Sequence, residues 1–548
     1  EATGVEPEGR ITPACLGLWS DANEAALGRV VEGIRKYSDM PLAIQLGHAG
    51  RKASSALPWQ GGQLLAPEAG GWPTLGPSAL PHLPHEPAPR ALSVTTTPAL
   101  SPAFSPSVHD YVSRCTAGGL PVSVAAPDGV RVSVDGAAAR TGRFAATVPV
   151  ASGRGTTIVV TGGAAAGTYR VRCLPADFPA YTARRTGTPQ AAYEVVTPSL
   201  GGGGRNYVAI FDREGVPVWW MSTGDIVPID AKVLPDGNLT WGTQVPYGSA
   251  TDHGFEERRL NGTLAHTWRT VGENTDPHDI QPLANGNMLL LAYPLRAHVD
   301  LTSIFAPADS LVADAQVQEV TPSGSLAWSW NSAGHIATTE SGRLPTLTTT
   351  EDGTPLYDLV HINAVEPDGN LILISARHVD ALYAIDRTTG EVVWKLGGTP
   401  TPQSLTIIGD PDGAAEFGGQ HDVRVLPDGT ITLHDNGTAR GRPPRALRFR
   451  IDRTAHTATL LESVEDPTPL TSACCGSARR LPGGNWVMSW GQTPVVTELT
   501  PAGTPVWRLT FGGGTFSYRA APVADGGLSA TALRAGMDAM HPRAAATR

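Results

Sequence analysis

Gln420-His421-Asp422-Val423-Arg424-Val425-Leu426-Pro427-Asp428-Gly429-Thr430-Ile431-Thr432-Leu433-His434-Asp435-Asn436 reads as a strand, a tight turn and a second strand. The turn is Asp-Gly, the pair a two-residue hairpin demands because its central positions need positive φ. The unit recurs as Leu234-Pro-Asp-Gly-Asn238, Leu283-Ala-Asn-Gly-Asn287, Glu366-Pro-Asp-Gly-Asn370 and Leu481-Pro-Gly-Gly-Asn485, each followed by an apolar strand. A second repeated element runs from a turn into a tryptophan strand, ending at Trp220, Trp268, Trp330, Trp394 and Trp507. Hairpins repeating with a bulky aromatic at a fixed place are the pattern of propeller blades, each burying its neighbour's face. The widest gap between hairpins lies between Leu283 and Glu366, which predicts six blades with an insertion within residues 296–350. The tryptophans are then blade-to-blade core and carry no chemistry.

His278, His361 and His421 each stand five residues ahead of a hairpin motif, on the strand entering the turn. One position in three blades is one place in space, because the innermost strands of a propeller surround its axis. Arg377-His378 follows the Asn370 hairpin by one strand, and His434-Asp435-Asn436 follows Gly429 in the same way, so both are expected at the same mouth. Two chemistries use such a set. Neutral imidazoles can ligate a transition metal, with Asp279 or Asp422 behind them. Alternatively one imidazole is a nucleophile, and the others with Arg377 neutralise an anionic group in flight. The arginine favours the second, since a guanidinium repels a dication and offers forked donors to sulfate or phosphate, and no metal or other cofactor is expected.

Upstream, residues 91–175 alternate in strand fashion, as in Leu92-Ser-Val-Thr-Thr-Thr97 and Thr156-Thr-Ile-Val-Val-Thr161, parted by Gly, Asp and Pro turns. That pattern favours a small β-sandwich. Cys115 and Cys173 bracket it, either as a disulfide that implies an oxidising compartment or as two buried thiols. The adjacent Cys474-Cys475 is read either as a vicinal disulfide or as two free thiols, and no cysteine pair has structural-zinc spacing. Residues 1–85 carry a capped helix, from Ser20-Asp21 to Tyr37, followed by an apolar run, Pro41–Leu46, that reads as a buried strand. One or two such units cannot bury both faces of a parallel sheet. The expected organisation is therefore 1–85, 86–175 and 176–548.

The 548 residues carry a formal charge of −10, with Lys36, Lys52, Lys232 and Lys395 the only lysines. No basic cluster tracks a phosphate backbone, so nucleic acid is not an expected partner. No apolar run approaches the ~18 residues of a membrane span. The chain opens at Glu1 without methionine, so its start is read as processed, trimmed or internal.

Three resemblances follow from particular motifs. Pro277-His-Asp-Ile280, Asp358-Leu-Val-His-Ile-Asn-Ala-Val365, Ile374-Ser-Ala-Arg-His378, Ile385–Gly397, Gly419-Gln-His-Asp422 and His434-Asp-Asn-Gly437 resemble the bacterial arylsulfate sulfotransferases, over roughly residues 173–520. That resemblance implies a six-bladed propeller and a ping-pong transfer, with no nucleotide donor, from a phenolic sulfate ester to a phenolic acceptor. Carried over, it makes His421 the nucleophile that becomes sulfohistidine and His278 and His361 the proton donors and acceptors. Arg377 would hold the sulfuryl oxygens, and Asn363, His378, His434 and Asn436 would bind substrate. It also implies secretion or a cell-surface location and allows a homo-oligomer. A non-catalytic propeller binding module and a metal-dependent hydrolase or lyase are the competing readings.

Glu1–Ile11, Leu16–Asp21, Gln45-Leu-Gly-His-Ala-Gly-Arg-Lys52 and Pro77-Ser-Ala79 resemble consecutive motifs of the Old Yellow Enzyme family of flavin-dependent ene-reductases, whose matching glutamine lies against the flavin. The later strand–helix units of that family's barrel, with its phosphate-binding loops, are absent here, so an inactive, colourless, incomplete α/β segment derived from a TIM barrel is expected. Leu100–Tyr111 resembles the opening of a cadherin-like sandwich module, with His109 on its surface. The fold class expected overall is mainly β: a six-bladed β-propeller preceded by a small β-sandwich and that N-terminal fragment.

Overall fold

A computed structural model describes residues 2–76, 81–86, 92–163, 165–200, 205–341, 346–411, 417–466, 468 and 471–542; the Pro77-Ser-Ala79 motif lies outside them. The chain divides into two compact units, Glu1–Ala176 and Asp177–Arg548. It is mainly β and multi-sheet.

In the first unit, Ala2–Gly4 pairs in parallel with Leu16–Gly17 and Gln45–Gly47. The helix Asp21–Arg35 starts where predicted, with the Ser20 hydroxyl accepting the Asn23 N–H at 3.3 Å. The expected buried strand at 41–46 is corrected. Only Gln45–Gly47 is strand, Ile44 and Leu46 are exposed, and the helix buries none of its residues. The physical reason is the one that limits any fragment of a parallel sheet: no further layers exist to cover its apolar faces. Gln45 is exposed and does not line the 600 Å³ cavity beside Trp72 and His85, so the residues present do not fit a flavin.

The rest of this unit is two sheets over one core. Asp110–Ser113, Gly167–Cys173, Gly155–Thr161 and Arg131–Val134 form one, and Ser93–Thr96, Leu120–Ala126 and Gly142–Val148 the other. Alternate residues Leu120, Val122 and Val124 point inward to meet Val132, Ile158 and Val171, as a period of two requires. Cys115 and Cys173 form a disulfide across the end of this sandwich. His109 is exposed, its ring stacked on Tyr169.

The second unit contains seven sheets among the described residues, six of which carry a four-stranded antiparallel meander. Their first strands are Pro228–Val233, Thr275–Pro282, Ile362–Asp368, His421–Val425, Ser477–Arg480 and, completing the sheet of Tyr193–Leu200, the C-terminal strand Thr515–Val523. Each of these six strands contacts the next in this order, and Thr515–Val523 contacts Pro228–Val233. Turns form at all five places, but only the glycine takes the left-handed backbone: Gly237, Gly286, Gly369, Gly429 and Gly484 have positive φ, whereas Asp236, Asn285 and Asp428 do not and instead each accept the N–H two residues on.

Cores lie between successive sheets. Ile372 and Ile374 pack with Leu289, Leu291 and Val317 on one side, while Leu371 and Leu373 pack with Val423, Leu433 and Leu447 on the other. Both faces of this strand are buried, which is why Leu371–Ile374 is a continuous apolar run. The repeated tryptophans are buried between sheets, and the indole N–H groups of Trp219 and Trp330 donate to the carbonyls of Leu260 and Gly390 in the following sheet. The insertion is larger than the predicted 296–350. It is a seventh sheet built from two separate segments, Leu295–Ala313 and Thr346–Asp358.

Candidate active site

Four of the first strands break register just where the candidate residues lie: between Ile229 and Lys232, Asp276 and Ile280, Ile362 and Ala364, and His421 and Arg424. A bulge of this kind re-aims side chains out of the alternation of a regular strand. Asp230, His361 and Asp422 accordingly sit in the left-handed region, at φ of 52°, 51° and 62°. Such backbone costs of order 1–3 kcal/mol per residue and persists only where surrounding contacts hold it.

The bulges bring His278, His361 and His421 to one cavity of 380 Å³, which Arg377, from the short helix Arg377–Val379, Tyr518 and Cys475 also line. The ring centroids of His278 and His361 are 4.9 Å apart, and Tyr518 stands 5.7 Å from His278 and 6.4 Å from His421. In each of the three histidines Nδ1 is occupied by an acceptor. His278 Nδ1 meets Asp276 Oδ1 at 2.7 Å, and His361 Nδ1 meets Asp358 Oδ2 at 2.5 Å. His421 Nδ1 lies 2.9 Å from the Gly419 carbonyl and 2.8 Å from Asn436 Oδ1. A carbonyl only accepts, so the His421 proton is on Nδ1 and Nε2 keeps its lone pair. Burial, and then the nearby Arg377 charge, hold His421 well below the ordinary histidine pKa, so this imidazole is neutral.

The other residues expected here divide. His378 is buried, with Nδ1 2.6 Å from the Asp358 carbonyl and Nε2 accepting from Arg377 Nη1 at 2.7 Å. Burial and then His361 lower its pKa to about 3. It lines the cavity beside the guanidinium it buttresses, with both ring nitrogens engaged by protein atoms. Asn436 also acts from behind: besides holding His421, it donates to Ser472 Oγ at 2.7 Å and the Cys475 carbonyl at 2.9 Å. Asn363 and His434 do not line the cavity. Asn363 is fully buried and donates to the Gln420 carbonyl, tying two neighbouring strands. His434 is fully buried against Trp490, its pKa brought down to about 4 by burial.

Asp279 and Asp422, expected behind the imidazoles, are corrected as well. They are fully buried within an ionic network, where Asp279 binds Lys232 and Arg424 and Asp422 binds Arg424 and the half-buried Arg479, with Arg519 alongside. The carboxylates that touch the histidines are Asp276 and Asp358, the latter also accepting from Tyr247 Oη at 2.6 Å. Sequence reasoning missed both, although an acid two or three residues ahead of each histidine was a usable signal. It also missed Tyr518, which comes from the closing C-terminal strand, outside the hairpin motifs. Asp358, His361 and His378 each present a potential ligand atom within 4.8 Å of the others, the one such group among the described residues.

With this geometry in hand, the comparisons fall into place. Residues 257–512 match the family model described as Arylsulfotransferase (ASST). All of His278, His361, Arg377 and His421 fall inside the arylsulfotransferase match, which links this region to sulfur-group transfer in general. Curated relatives match over short stretches: an NADH:flavin oxidoreductase of Gibberella zeae is 45% identical over 83 residues, 15% of this chain and 20% of that protein. An NADPH dehydrogenase of Halalkalibacterium halodurans is 46% identical over 69 residues, 13% of this chain and 19% of that one. The chain thus spans about a fifth of the length of the curated relatives it matches. Among solved structures, a protein of unknown function from Bacteroides caccae is similar at 10% identity and a TM-score of 0.37, over 61% of this chain and 99% of that one. None of these comparisons bears out the cadherin-like resemblance of residues 86–175. No helix among the described residues is long and apolar enough to cross a membrane.

Proposed function

We propose that the six sheets of residues 176–548 close into a six-bladed propeller, behind segments 1–85 and 86–175, and that its cavity moves a sulfuryl group from a phenolic sulfate ester to a phenolic acceptor. The observation that carries this reading is the proton placement on His421: Nδ1 is pinned by Gly419 and Asn436, and the neutral Nε2 shares the cavity with Arg377. Nε2 attacks sulfur, the sulfur–oxygen bond to the aryl group breaks, and the leaving phenolate takes a proton from His278 or His361. Asp276 and Asp358 fix the orientation of those rings through Nδ1. Arg377 spreads the charge on the sulfuryl oxygens. The acceptor phenol gives its proton to the same histidines and takes the group from Nε2 by the reverse path. The Cys115–Cys173 bridge supports assembly in an oxidising compartment.

The test is intact mass after brief exposure to 4-nitrophenyl sulfate, quenched without acid. An added sulfuryl group on His421, absent from His421→Ala and discharged by phenol, is expected. No adduct together with no acceptor-dependent phenol release would rule out the transfer.

A second reading, a metal-dependent hydrolase or lyase, is favoured by the Asp358, His361 and His378 cluster, a carboxylate and two imidazoles close enough to share an ion. Stoichiometric metal in the purified protein, with activity lost to a chelator, would select it.

A further inference from the structure

The segment Ser472–Cys475 is fastened to the site at three of its four residues. Arg377 Nη2 donates to the Ala473 carbonyl at 2.9 Å, and Asn436 Nδ2 holds Ser472 Oγ and the Cys475 carbonyl. The Cys475 N–H donates to His421 Nε2 at 3.1 Å. The lone pair that would attack is therefore capped by a backbone amide of this segment. That amide belongs to the peptide bond between two cysteines.

Cys474 and Cys475 both line the cavity, with their Sγ atoms 2.7 Å apart, inside van der Waals contact and longer than a bond. Cys475 sits in the left-handed region at φ 65°, an uncommon place for a side-chain-bearing residue. The two thiols differ. The hydrogen bond from Cys475, and then the Arg377 and His278 charges, bring the Cys474 pKa to about 7, while the same hydrogen bond and burial push the Cys475 thiol up. A thiolate beside a guanidinium with a second thiol in contact is the arrangement of a dithiol that exchanges with disulfides.

We propose that Cys474 and Cys475 are a redox modification site, oxidised to a vicinal disulfide by small-molecule or protein disulfides, and that closing this bond withdraws the Cys475 N–H from His421 Nε2. The Cys474 thiolate attacks a sulfur of the reagent disulfide, forming a mixed disulfide and expelling one reagent thiolate. The Cys475 thiol then loses its proton and attacks the Cys474 sulfur, expelling the second. Two electrons pass to the reagent, which leaves as two thiols. The new ring runs through the peptide bond whose N–H caps His421, and on this proposal its closure turns that peptide. The cap is present in the dithiol form and lost in the disulfide form. Its consequence for activity rests on Nε2 being the reactive atom of the proposed transfer, although its detection does not.

The full chain, with its thiols reduced and then exposed to hydroxyethyl disulfide, is the test. The peptide carrying both cysteines should lose two hydrogens, and Cys475→Ser should stall as a mixed disulfide on Cys474. Carbethoxylation of His421 by diethyl pyrocarbonate, which attacks a free imidazole nitrogen, should be about tenfold faster in the oxidised protein, the effect of one lost hydrogen bond. In Cys474→Ser/Cys475→Ser the oxidant should leave that rate unchanged. A pair that stays reduced, a disulfide that leaves His421 reactivity unaltered, or an oxidant effect that persists in the double variant would each overturn the proposal. If the double variant does not fold, the reduced and oxidised wild-type forms still decide it. No aryl sulfate enters either readout, so failure of sulfuryl transfer and failure of this proposal are separate results.

Discussion

Asn436 Oδ1 lies 2.8 Å from Nδ1 of His421, and the amide nitrogen of the same side chain holds the Ser472–Cys475 segment that covers Nε2. One side chain thus fixes both the proton on the ring and the segment above it. Asn436→Ala should lower kcat roughly 10–100-fold with little change in KM, because the Gly419 carbonyl still holds Nδ1. Asn436→Asp should move the acidic limb of the pH–rate profile upward, since a carboxylate on Nδ1 favours the charged ring. An unshifted limb in that variant would reduce Asn436 to a packing residue.

Arg377 spends Nη1 on His378 and Nη2 on Ala473, so its reach into the cavity depends on a planar, pre-positioned fork. Arg377→Lys keeps the charge and loses the fork. The expected loss in aryl sulfate turnover is about 100-fold, carried by kcat. Turnover by Arg377→Lys equal to wild type would show that charge alone suffices.

How far the site was legible follows from which contacts are local. The hairpins were readable because a turn's φ demands Asn, Asp or Gly within a few residues, and His278, His361 and His421 because one offset from those turns repeats. His434 was misplaced on the same logic. Asp279 and Asp422 sit beside site histidines in the chain, yet the bulges send them into the ionic network. His434 packs against Trp490 and stays out of the cavity although it is the register partner of His421, so pairing across the hairpin was no guide to its place. Tyr518 and the Cys475 amide reach the cavity from sheets whose partners lie far along the chain, and no short window holds that information. The two-segment insertion hid for the same reason: Ser310–Ala313 pairs with Pro355–Asp358 across two intervening strands of another sheet, Gln316–Val320 and Leu326–Asn331.

Stability should fall in acid in a defined window. His421, His434 and His378 are buried with pKa values held down chiefly by burial, the last two at about 4 and about 3. Below the ordinary value of about 6.5 the unfolded chain takes up protons that the folded chain refuses. Stability is then full above about pH 7 and is lost as pH falls toward the folded values, by up to about 1.4 kcal/mol per pH unit for each histidine. Urea midpoints between about pH 7 and pH 4.5 would show it, and His434→Asn should flatten the slope by one histidine's share. An unchanged slope in that variant would mean the ring is already charged when folded.

The Cys115–Cys173 bridge closes a loop with a sequence separation of 58. On chain-entropy grounds, Cys115→Ser should destabilise the sandwich by about 4 kcal/mol. Limited proteolysis should then cut within residues 93–173 first. Cleavage there at the wild-type rate would assign the sandwich's stability to its apolar core alone.

Removing metal should leave transfer intact, for a reason visible in the donors of the Asp358, His361 and His378 group. His361 Nδ1 and Tyr247 Oη both engage Asp358 Oδ2, and His378 holds a backbone carbonyl with one nitrogen and the Arg377 guanidinium with the other. An ion would have to displace that guanidinium, a positive charge already in place, before His378 could ligate it. Arg377→Ala removes the competitor. Wild-type protein dialysed against a chelator should transfer at the same rate, and Co²⁺ should give visible absorption only with Arg377→Ala. Tight Co²⁺ binding by the wild type, with activity restored by the ion after chelation, would make this group a metal centre and the second reading the correct one.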